Sequence, residues 1–104
     1  MDDLVRKIIQ FRNERDWKKF HTPENLAKSI SIEAAELLEN FQWNNEYCKE
    51  KVLDELADVL IYSILMADAL SIDFIEAINR KLAKNIEKYP VGKAKGNCKK
   101  YTEF

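Results

Sequence analysis

Residues 24–89 read ENLAKSISIEAAELLENFQWNNEYCKEKVLDELADVLIYSILMADALSIDFIEAINRKLAKNIEKY, without a single Gly or Pro. The whole 104-residue chain has only 2 Gly and 2 Pro, where average usage of about 7% and about 5% would give roughly a dozen. Pro23 and Pro90 bracket the stretch, and no Gly precedes Gly92. An all-β domain needs turn residues about every 8–12 positions, so this chain is expected to be all-α. A glycine loop for phosphate is absent as well, since neither G-x-G nor G-x-x-x-x-G-K occurs.

The apolar spacing divides the chain into four helices. The first covers about Asp2 to Asp16, with Leu4, Ile8, Phe11 and Arg15 on one stripe and Val5 and Ile9 beside it. After the connector 17–21, Thr22-Pro23-Glu24 marks a helix start: a capping hydroxyl, Pro at the first helical position and an acid in the positive first turn. This second helix runs to about Trp43 on the stripe Leu26, Ile30, Ala34, Leu37 and Phe41, and 44–46 is a polar break. The third runs from about Cys48 to Leu70. Its Val59–Ala67 stretch is apolar around nearly the whole circumference, as in a helix central to a bundle or lying between subunits. Asp73 with Glu76 is a capping pair for the fourth helix, which carries Ile75, Ile78, Leu82 and Ile86 and stops at Tyr89-Pro90. The organisation expected is a four-helix domain over 1–92, completed by oligomerisation, and an aperiodic basic tail over 93–104.

The net charge is −1, which gives no global field for nucleic acid or an anionic membrane. Its distribution says more. Residues 33–58 hold eight acids against two bases, and the last twelve residues hold four lysines against Glu103. Cys48 and Cys98 form no C-x-x-C and no disulfide framework. The start Met1-Asp2-Asp3 lacks the basic region of a signal peptide. The longest uncharged run, residues 59–67, is far short of the about 20 apolar residues of a membrane span. A cytoplasmic protein without a membrane partner is expected.

At about 100° per residue, Glu33 lies about 20° to 80° from Leu26, Leu37, Ile30 and Phe41, and so borders the apolar stripe. Glu36 sits about 60° to its other side, and Glu39 points outward. The third helix repeats the arrangement: Glu55 lies about 20° to 40° from Met66 and Val59, with Asp58 about 60° to the other side. An E-x-x-E pair is common on solvated faces. Two such pairs at core edges on consecutive helices can bring four carboxylates together, and four acids repel unless a cation sits between them. Oxygen-only donors suit hard ions such as Mg²⁺, Mn²⁺ or Ca²⁺. A di-iron bundle would need Glu-x-x-His pairs, but the single histidine, His21, lies outside both helices. A Zn²⁺ site would need a Cys/His cluster.

Other candidates are less specific. Trp17 and Trp43 flank the second helix and would either pack at its edges or stack on a base. Lys81, Lys84, Asn85 and Lys88 share one face of the fourth helix, either as a solvated face or toward phosphates. The Tyr62 hydroxyl, one turn after Asp58, needs a partner.

The segments 11–17 (FRNERDW), 20–26 (FHTPENL), 33–37 with 41–43 (EAAEL, FQW), 55–62 (ELADVLIY) and 81–90 (KLAKNIEKYP) resemble, in order and spacing, the MazG-like nucleotide pyrophosphohydrolases, above all the dCTP pyrophosphatase type. The resemblance implies an all-α fold assembled as a homodimer or homotetramer. It also implies Mg²⁺-dependent hydrolysis of a nucleoside triphosphate to the monophosphate and pyrophosphate; from the ligand type, Mn²⁺ is an alternative ion. The family's metal carboxylates fall on Glu33, Glu36, Glu55 and Asp58, its base-pocket aromatics on Trp17 and Trp43 with His21 nearby, and its phosphate contacts on Tyr62, Lys81 and Asn85. Ile32 departs from the pattern, which has an acid or a Gly there. In the mechanism expected, Glu33 and Glu36 are the catalytic carboxylates, and Glu36 is the residue closest to the attacking water. The rival reading is a non-enzymatic helical oligomerisation or adaptor module. It accounts for the apolar third helix but not for the acids at its edge. A nucleic-acid-binding domain is disfavoured by the acidic segment.

Overall fold

Thr22 opens the structure's central pair of helices. In a computed structural model describing residues 2–43 and 46–104, its hydroxyl accepts the Asn25 N–H at 3.2 Å, and helix α2 runs Pro23–Glu39. Helix α3 spans Lys49–Ala69 and packs along α2. Glu39 and Asn40 border the same cleft as Lys51 and Asp54, while Glu33 meets Asp58 further along, so the two helices run antiparallel. Helix α1, Asp2–Glu14, packs on α3. The connector carries one 3-10 turn, Lys18–Phe20. These elements form the first of two compact units, which ends at Ile72; the second is Asp73–Phe104.

The core of the first unit joins all three helices. Ile8, Leu26, Ile64 and Leu65 are its buried apolar side chains, and Arg12 is buried with them at 3% exposure. The α1 stripe is therefore displaced from the one the spacing suggests. Arg12, one turn after Ile8, faces inward, while Arg15 turns out and lays its guanidinium over the Phe11 ring at 3.8 Å. Only part of the apolar α3 segment is covered, since Leu60 and Ile61 are exposed, as are Leu53 and Leu56 before it.

Helix ends differ from the expected ones for local reasons. Helix α1 stops at Glu14 because Asp16 enters the left-handed region (φ 54°). The N–H groups of Asp16 and Trp17 then return to the carbonyls of Asn13 and Arg12. This is the Schellman closure, and α3 ends the same way: Ser71 has φ 55°, and Ser71 and Ile72 donate back to Asp68 and Ala67. Helix α2 ends at Glu39, not near Trp43, because the Asn40 side-chain amide donates to the Glu36 and Leu37 carbonyls. Of the expected break at 44–46, residues 44 and 45 lie outside the described residues, and Glu46 is non-helical.

In the second unit the Asp73 carboxylate accepts the Glu76 N–H at 2.9 Å and caps α4, Phe74–Lys88. After Gly92 the chain is part helix and part loop, and residues 97–100 carry no regular structure. Helix α5 covers Val91–Ala94 and a 3-10 turn covers Tyr101–Glu103. Tyr89 packs edge-on against Tyr101 and Phe104 at 6.0 and 5.8 Å, and Lys88 Nζ sits over the Tyr101 ring at 4.8 Å.

Candidate active site

The two i, i+3 acid pairs meet where α2 and α3 face each other. One carboxylate oxygen from each of Glu33, Glu55 and Asp58 lies within 4.8 Å of the others. Glu36 completes the group by contacting the carboxyls of Glu33 and Glu55. Glu33 Oε2 and Glu55 Oε2 are buried and lack a hydrogen-bond partner. Burial first, then the Glu36 carboxyl and the nearby Glu55 and Asp58, pushes Glu33 up to about 7. Burial, with Glu36 and Asp58 adding to it, also raises Glu55. Buried acceptor oxygens with no donor are costly, and a hard divalent cation satisfies such oxygens without a proton. The donor set therefore fits a divalent metal held by oxygen ligands.

Beside the cluster is a pocket of about 370 Å³. Its walls include Phe11 and Arg12 from α1, Trp17 and His21 from the connector, and Tyr62 from α3. Asp58 belongs both to this wall and to the carboxylate cluster, which makes the two one continuous site. Trp17 stands 5.6 Å from Phe11 and 6.4 Å from His21, and His21 stands 6.3 Å from Tyr62, centroid to centroid. Burial, and then the Arg12 charge, lowers the His21 pKa, and its Nδ1 is buried without a partner. On the other side of the cluster, Glu36 and Glu55 border a cleft of about 280 Å³ shared with Lys51.

The residues expected to act together are only partly brought together. The four acids, Trp17, His21 and Tyr62 converge. Trp43 is 87% exposed and lines neither cavity. Lys81 and Asn85 lie one turn apart on α4, in the second unit. Phe11 and Arg12 are wall residues that the sequence did not single out. The signal for Arg12 was a charge one turn from Ile8 on the buried face of α1, matched by the opposite charge of Asp68 directly after the apolar run of α3. Their side chains pair at 2.6 Å. No described helix is long and apolar enough to cross a membrane.

A family model described as MazG-like matches residues 28–104. A dCTP pyrophosphatase 1 from Mus musculus is 35% identical over all of this chain and 67% of its own length, and one from Homo sapiens is 34% identical over the same shares. A crystal structure of a pyrophosphatase from Archaeoglobus fulgidus superposes with a TM-score of 0.80 at 47% identity, covering 86% of this chain and 92% of that one. An all-α fold carrying a cluster of carboxylate oxygens beside an aromatic pocket, with these relatives, defines a nucleotide pyrophosphohydrolase. The chain belongs to the MazG-like family.

Proposed function

We propose that the protein is a Mg²⁺-dependent nucleoside triphosphate pyrophosphohydrolase that converts dCTP, or a modified dCTP, and water to the monophosphate and pyrophosphate, clearing such nucleotides from the pool. One observation carries the reading. A carboxylate cluster with two orphaned buried oxygens opens, through Asp58, into an aromatic-walled pocket of about 370 Å³, within the range of about 300–1,000 Å³ typical of small-molecule sites. The base preference rests on the relatives, which are dCTP pyrophosphatases.

Glu33, Glu36, Glu55 and Asp58 would hold the ion, Mg²⁺ or Mn²⁺. When bound, it supplies charge neutralisation on phosphate oxygens and lowers the pKa of a coordinated water. Glu36 orients the attacking water and accepts its proton, with Glu33 as the second catalytic carboxylate. Trp17 and His21 form the base pocket, and the aromatic faces stack on the base. Tyr62, on the pocket wall one turn after Asp58, contacts the phosphates. The active form is a homodimer or homotetramer.

Replacing Glu36 or Asp58 with Ala should lower pyrophosphate release by at least about a hundredfold while circular dichroism shows unchanged helix content. Full activity in either variant would remove the site. A panel of normal and modified dNTPs and NTPs with Mg²⁺ should show dCTP or its modified forms turned over fastest.

A further inference from the structure

Arg12 is the only charged side chain among the described residues buried below a tenth of its surface. Its Nη1 donates to Asp68 Oδ2 at 2.6 Å, and its Nε donates to Asn13 Oδ1 at 3.1 Å. Burying an ion pair is a weak way to stabilise a core, because desolvation cancels most of the attraction. Its place suggests another use. Arg12 forms part of the wall of the aromatic pocket. Its carbonyl accepts the Trp17 N–H at 3.2 Å, through the left-handed turn at Asp16. Its charge also reaches the His21 ring. Asp68, in turn, is fixed within the closing turn of α3, where its carbonyl accepts the Ser71 N–H at 3.0 Å. The ion pair thus ties the turn that presents Trp17 to the end of the helix that presents Tyr62 and Asp58.

From this arrangement we infer that Arg12, anchored by Asp68, is the positioning residue of the nucleoside pocket, setting Trp17 and His21 against α3 for the base. The inference rests on reading the aromatic pocket as the nucleoside site. Arg12 acts through the backbone of Trp17 and, by way of the Trp17 ring 6.4 Å from His21, on the placement of His21, so its loss weakens nucleoside binding more than the hydrolytic step. A binding interaction shared by ground and transition states appears in KM and leaves kcat in place.

The test uses Arg12→Met/Asp68→Leu, which replaces the pair with apolar groups of similar size, a change that buried ion pairs often tolerate. Helix content should be retained. KM for dCTP should rise about tenfold or more with kcat within about twofold of the parent. A kcat loss at unchanged KM, or no change in either, would overturn the assignment. Asp68→Asn, at a side chain 32% exposed, keeps the shape and loses the charge. It should raise KM in the same direction, and it decides the matter if the double variant fails to fold. A second readout needs no turnover. In a Trp43→Phe background Trp17 is the sole tryptophan, and its emission should shift to longer wavelength and become more open to acrylamide in either variant. If the unaltered enzyme releases no pyrophosphate from any nucleotide, the proposed function fails, yet the Trp17 emission still decides the positioning role. An unchanged emission refutes it.

Discussion

At Glu33 a single carboxyl connects burial to metal binding. Without a cation it keeps its proton up to about 7, against an ordinary value of 4.5. Between those values the native state binds more protons than the unfolded state, so stability falls as pH rises through that window. Glu55, raised for the same reason, adds to the slope. Thermal melts in EDTA should therefore show the midpoint dropping between about pH 5 and about pH 7. Saturating Mg²⁺ should flatten the drop, because the ion replaces the proton as the partner of these oxygens. A metal-free midpoint that rises across the window would contradict the cluster. The acids were legible in the sequence because i, i+3 spacing on a helix fixes which side chains share an edge, and two edges of equal character predict a meeting. Arg12 was only half legible: its place one turn after Ile8 puts it on the buried face, but Asp68 lies 56 residues away and periodicity does not pair the two.

At the scale of elements, the helix ends show where local chemistry decides and where it does not. The start of α2 could be read from Thr22-Pro23 because the cap is made by neighbours in sequence. Thr22→Ala should cost about 1 kcal/mol in urea unfolding, with no change in fold. The end of α2 was misplaced because Phe41 continues the apolar stripe, while the Asn40 amide takes two carbonyls of the last turn. The segment after Gly92 shows no apolar period, although its end makes contacts of its own. Tyr101 and Phe104 pack back on Tyr89, and such a return shows no period. At the other end of α3, Ser71 occupies a left-handed conformation that disfavours a residue with a Cβ. Ser71→Gly should raise stability by about 1 kcal/mol; destabilisation in the same urea titration would refute the strain.

For the molecule as a whole, the apolar surface left open is the main fact. In the first unit Leu53, Leu56 and Leu60 line an exposed side of α3, and in the second Ile75, Ile78, Leu82 and Ile86 line an exposed side of α4. Contiguous apolar rows of this kind mark protein–protein contacts, in keeping with the proposed homodimer or homotetramer. Sedimentation equilibrium should give a mass of at least twice the 12.2 kDa chain. Leu60→Glu or Leu82→Glu should shift that mass toward the monomer if its row is in the interface. A monomer at all concentrations would leave the oligomer proposal without support. The products show which phosphoanhydride bond is broken. Phosphorus NMR of the enzyme with dCTP and Mg²⁺ should show dCMP and pyrophosphate appearing together in equal amounts. Orthophosphate with dCDP, or dCTP left intact, would contradict it.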